Sequence, residues 1–322
     1  MTEYAKRVTR PKAAVHVERC SLPAAALLQR HTLLLGRIHS RYARILNIQT
    51  PDGQLLTLQG PGPLLAPCSA ALAEGLENHA PHLSPGDLVT QGADASAALH
   101  LITAHAVHWD GRLLPRGTFT FTFTGTATAT ATATAANFRN IAAQLTQWLM
   151  QHAREQGIAP VLTALHGSAM PSPLHRRFCQ ALMPMLTRHL SAASIADMAN
   201  QLIGLGEGLT PSGDDLLVGF WAVLHLTGHA HRLLPAPTWL ATLAANTTDL
   251  SAAFLRCALE GHFSEPMVRF MHALYSPDPN AWQVPAADLA RVGHSSGVDA
   301  MVGVAFANHL LAAVGMNHLQ SP

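Results

Sequence analysis

Two segments of this chain are apolar on every side at helical length, which fixes where each can go. Leu216 to Leu226 is broken only by His225, and Val298 to Met316 carries only Asp299, Asn308 and His309. A helix without a polar stripe must be enclosed by other elements. The first segment is too short to cross a bilayer and the second is interrupted by polar residues, so both are expected at the centre of a helical core. Each follows the same short pattern. Ser212-Gly213-Asp214-Asp215 leads to Gly219, and Ser296-Gly297-Val298-Asp299 leads to Gly303, at a constant offset of 84 (296 − 212).

A helix start has backbone N–H groups without intrahelical partners and carries partial positive charge, so it attracts anions. Two such starts brought together would form a cradle for a small anion. Gly204, Gly206 and Gly208 precede the first, Thr210 is expected to cap it, and Pro211 suits its first helical position. Ser212 and Gly213 would present hydroxyl and amide donors, as would Ser295, Ser296 and Gly297 at the second start. The run lacks the Gly-Lys-Ser/Thr of a P-loop and has no strand before it to make a dinucleotide fingerprint. One of Asp214 and Asp215 is explained by the helix dipole. A second carboxylate entering an apolar helix is costly unless it has a partner. Asp215 and Asp299 share a register, so they are expected to face each other or a common ligand. Three roles stay open: binding Mg²⁺, holding a substrate amide, or tying the loops together.

His294 stands just before Ser295 and is a candidate for proton transfer. Thr247 and Thr248 lie in a third hydroxyl-rich loop, where plain helix capping by Ser251 competes with a place in the same pocket. No grouping shows zinc-ligand spacing, and no cofactor is expected. Gly219 and Gly303 are read as sites of close helix packing.

The rest of the chain divides by period. Residues 1–124 have strand character, with a hairpin signal at Thr50-Pro51-Asp52-Gly53, a turn at Ser84-Pro85-Gly86-Asp87, one strand from Leu99 to His108 and another through Phe119, Phe121 and Phe123. Residues 125–136 alternate Thr with Ala and read as a linker or surface loop. From Asn137, an expected N-cap, to 322 the period is helical. The fold class is therefore α+β, a sandwich-like or barrel-like β-rich domain followed by a mainly α-helical one.

Charged residues make up 12% of the chain, about half the usual ~25%, against 48% hydrophobic. Such a surface is expected to be covered in part by other subunits. A net charge of +1, with no basic block beyond Lys6 to Arg19, gives no sign of nucleic-acid binding. Four scattered cysteines suit free thiols in a reducing cytoplasm. The short apolar run Leu22–Leu28, closed by Arg30, does not have the layout of a signal peptide, and no membrane association is expected.

The run from Gly204 to Asp215, Thr247-Thr248 with Ser251 and Leu255, and Gly293-His294-Ser295-Ser296-Gly297 with Asp299 resemble a bacterial family associated with oxamate carbamoyltransferase, the AllH-type subunit. Gly36-Arg37-Ile38-His39-Ser40 and the hairpin after it are similar too. The resemblance implies a part in allantoin and purine nitrogen use, where an assembly of three different subunits converts oxalurate and phosphate to oxamate and carbamoyl phosphate. The chain has neither Ser-Thr-Arg-Thr nor His-Pro-x-Gln, the signatures of ordinary carbamoyltransferases. A non-catalytic anion-binding or assembly subunit is the competing reading, and a metal-assisted hydrolase or carboxylase-like enzyme is a third.

Overall fold

The computed structural model describes residues 13–78, 82–91, 97–114, 128–168, 172–235, 238–240 and 244–317, with backbone alone for 128–134 and 314–317. The chain forms two compact units, residues 1–110 and 111–322.

The first unit is a closed sheet. Its strands are β1 (Ala13–Ser21), β2 (Leu34–Arg41), β3 (Ile45–Gln49), β4 (Leu55–Gln59), β5 (Ser69–Leu72), β6 (Leu88–Thr90), β7 (Leu99–Ile102) and β8 (Val107–Trp109). Seven of them run in the order β5-β4-β3-β2-β6-β7-β1. β1 then pairs antiparallel with β5, which closes a barrel, and β8 lies beside the second half of β1. Of the two architectures expected, the barrel is the one found. Alternation drives it: Val15, Val17 and Cys20 of β1 point inward while His16 and Glu18 stay in water. The hairpin lies where the turn chemistry put it. Thr50 N–H donates to the Gln54 carbonyl at 2.9 Å, between β3 and β4. Helix α1 (Leu22–Arg30) starts on Ser21, whose Oγ accepts from Ala24 N at 3.3 Å and from Ser69 N at 3.1 Å, tying the helix start to β5.

Leu99–His108, expected as one strand, is two, because residues 103–106 turn between β7 and β8. The segment holding Phe119, Phe121 and Phe123 lies outside the described residues.

The second unit is helical: α2 (Thr128–His152), α3 (Val161–Ala164), α4 (Pro173–Leu182), α5 (Ala192–Leu202), α6 (Ser212–Leu226), α7 (Ala230–Leu233), α8 (Asp249–Leu259), α9 (Glu265–Leu274), α10 (Gln283–Ala290) and α11 (Ser296–Asn317). α11 packs against both α6 and α2. Although Ser296–Ala313 is long and apolar enough by composition to cross a membrane, 83% of it is buried inside the unit. It is a core helix, as its flanking motif implied.

From Thr128 the Thr/Ala stretch is helical backbone and forms the first turns of α2. Ala has the highest helix propensity, and a run of it extends a helix that is anchored downstream by Phe138, Leu145 and Leu149. Asn137 therefore sits inside the helix rather than capping it.

Close packing of α6 on α11 depends on two glycines. A Cβ on Gly219 would lie 1.8 Å from the Ala300 carbonyl oxygen, and a Cβ on Gly303 would lie 1.9 Å from that of Leu216. Residue 300 is 84 beyond 216, as 303 is beyond 219, so the two contacts are mirror copies of each other. The sequence repeat is thus a pseudo-twofold relation in space.

Candidate functional site

Because the two glycines set both helices in one register, the starts of α6 and α11 lie side by side. Ser212 hydrogen-bonds the Asp299 carboxyl and Ser296 hydrogen-bonds that of Asp215, so each motif serves the carboxyl of the other. Thr210 Oγ1 meets Ser296 Oγ at 2.8 Å and also bonds Asp215. Asp299 is fully buried. Its Oδ1 accepts from Ile158 N at 2.7 Å and its Oδ2 from Ser295 Oγ at 2.9 Å. Asp215 is 8% exposed, and its Oδ2 is buried with no hydrogen-bond partner.

The protonation of this pair follows from its surroundings. Burial drives the Asp215 carboxyl well above the ordinary carboxylate range, and the charges of Asp299 and then Asp214 push the same way against the two hydroxyls. Burial also raises Asp299, opposed by the Ile158 amide, the serines and His175.

Asp214 belongs to a different structure. Its Oδ1 accepts from Gly204 N at 2.8 Å, and its Oδ2 accepts from Ser251 Oγ at 2.6 Å and from Thr247 Oγ1. It pins the end of α5 and the start of α8 onto α6. Asp214 and Thr247, expected to line an anion site, are both taken up by this internal tie. Thr248, not Ser251, caps α8. Its Oγ1 accepts from Ser251 N at 3.1 Å and donates to the Leu209 carbonyl at 2.5 Å, which holds the glycine-rich loop.

The amides of Gly213 and Gly297 are also engaged, donating to Leu205 O at 2.8 Å and Val292 O at 3.1 Å. A Cβ at either would collide with a carbonyl, that of Leu202 or of Leu289. Their role is close approach, not amide display. Pro211, not Thr210, holds the cap position of α6, which frees the Thr210 hydroxyl for Ser296. Gly206 and Gly208 take positive φ in the loop above, and a Cβ on Gly206 would meet Ser212 N. His294 is exposed in the turn before α11.

Two participants were not read from the sequence. Gly157 lies against Asp299, where a Cβ would fall 1.9 Å from Oδ1. His175 was not singled out at all. Among the described residues no group of three or more His, Cys, Asp or Glu side chains is placed to hold a metal ion, so the Mg²⁺ option rests on the carboxyl pair alone.

Residues 202–308 match the family described as oxamate carbamoyltransferase subunit AllH, and residues 14–110 match the AllH family N-terminal domain. The chain belongs to the AllH family. One match spans the barrel and the other spans both helix starts, the Asp214 tie and the carboxyl pair. The AllH description makes the chain a carbamoyltransferase subunit, and a subunit implies others beside it. No solved structure matches the chain.

Proposed function

We propose that the paired starts of α6 and α11 bind the ureido end of oxalurate and transfer its carbamoyl group to phosphate, giving oxamate and carbamoyl phosphate in purine nitrogen catabolism in the cytoplasm. The observation that carries this reading is the cross-bonded Asp215–Asp299 pair, with one Asp215 oxygen free. A free buried acceptor suits an amide N–H, which the ureido group offers. Burial raises both carboxyls, which lessens the negative charge that an anionic substrate must approach.

In the step, a phosphate oxygen bonds to the carbamoyl carbon and the bond from that carbon to the oxamate nitrogen breaks. Asp215 gives its proton to the departing nitrogen and regains one from the phosphate hydroxyl, so the carboxyl is unchanged overall. His294, exposed just before α11, would meet the phosphate or the substrate carboxylate. Ser212 and Ser296 hold the carboxyl pair rather than the guest.

The test is turnover of the assembly formed with its partner subunits. Asp215→Asn keeps the shape and removes the transferable proton, so kcat should fall by roughly 10²–10⁴-fold. Calorimetry should still detect oxalurate binding. Wild-type turnover in this variant would sink the catalytic reading and leave an assembly role, which the charge-poor composition also fits.

A further inference from the structure

Asp299 is held from behind by a single peptide unit. The N–H of Ile158 donates to Asp299 Oδ1 at 2.7 Å, and the carbonyl of the same peptide, that of Gly157, meets His175 Nε2 at 3.1 Å. A carbonyl can only accept, so Nε2 carries the proton. The other ring nitrogen, Nδ1, lies 2.9 Å from Ser172 Oγ, and that same oxygen caps α4 by accepting from His175 N at 3.2 Å. Both ring nitrogens are therefore engaged and the ring is locked in orientation. Only glycine fits at 157, where φ is +52° and a side chain would strike the carboxyl.

We infer that His175 is a positioning residue for the carboxyl pair, acting on Asp299 through the Gly157–Ile158 peptide. A carbonyl that accepts a hydrogen bond polarises its own amide, which makes the N–H on the far side a stronger donor. The start of α4 is thereby coupled to a carboxyl that it does not touch. The groups facing Asp299 are Asp215 from α6, His175 from α4, the hydroxyls of Ser212 and Ser295, and the Ile158 amide. Of the two titratable neighbours, His175 favours the ionised form of Asp299 and Asp215 opposes it. Catalytically, the inference rests on the proposed function, because Asp299 matters to turnover only if the pair is the site.

The test uses the full-length chain and two variants. His175→Phe removes the donor at similar volume, whereas His175→Gln keeps an amide able to reach the Gly157 carbonyl. Infrared titration of the protonated carboxyl band, assigned by its loss in Asp299→Asn, should move to higher pH in His175→Phe and by less in His175→Gln. In the assembled enzyme, kcat should drop about 10–100-fold for His175→Phe with KM little changed, as for outer residues that orient a reacting group, and recover in His175→Gln. A carboxyl titration unmoved in His175→Phe overturns the inference. If that variant does not fold, nitrogen NMR of the wild-type ring decides, since an Nδ1–H tautomer overturns it equally. A titration that moves while turnover does not would uphold the coupling and reject the proposed site.

Discussion

At the scale of single residues, three carboxyls enter one helical core and meet different fates. Asp214 accepts three hydrogen bonds from the protein, whereas Asp215 keeps one oxygen without a partner. Asp214→Ala would strand the Gly204 amide and the Ser251 hydroxyl in the interior. It should cost on the order of 3 kcal/mol, read from chemical denaturation. Burial holds Asp214, Asp215 and Asp299 above the ordinary carboxylate range. The folded chain therefore binds protons that the unfolded chain releases, and the sign follows from linkage. Their contribution to stability is fully present below the unfolded carboxylate pKa and is lost as pH rises through the folded values. Asp215→Asn should flatten that slope in denaturation curves taken across pH, and a slope identical to wild type would exclude a raised Asp215. The facing of Asp215 and Asp299 was legible in their shared register. The peptide behind Asp299 was not, because that bond spans 141 positions and no local pattern announces it.

Among the elements, the helices that were legible were those whose surroundings were also written in the sequence. α6 and α11 are apolar on all sides and could only be central. α5 shows its start through Ser191, which forms a capping box with Ser194. β1 is masked in the sequence because its outer face carries His16, Glu18 and Arg19, within the basic stretch from Lys6 to Arg19. Its period-two alternation of Val15 and Val17 was the available signal. The Thr/Ala run misled for the opposite reason: alternation of small residues carries no burial signal, and helix propensity decided. Gly219→Ala and Gly303→Ala test the α6–α11 contact directly. Each puts a methyl where a carbonyl oxygen lies under 2 Å away, and each should lower stability by about 1–3 kcal/mol in thermal unfolding. Under the proposed function, turnover of the assembly should fall as well, because the same contact sets the helix starts that carry the carboxyls.

For the molecule as a whole, the barrel closes on itself through the β1–β5 pairing and needs no outside strand to complete it. Residues 1–110 expressed alone should therefore unfold in one cooperative transition with a β-type circular dichroism spectrum, and a featureless melt would contradict this. The helical unit carries every residue of the proposed site. Two helices locked by opposed glycines cannot slide along one another without a steric collision. A guest reaching the carboxyls must therefore come past the loops that precede the two helices, residues 204–211 and 291–295, since the helical floor is too rigid to part. Any regulation by neighbouring subunits would then be exerted on those two loops, as a gate over a fixed base.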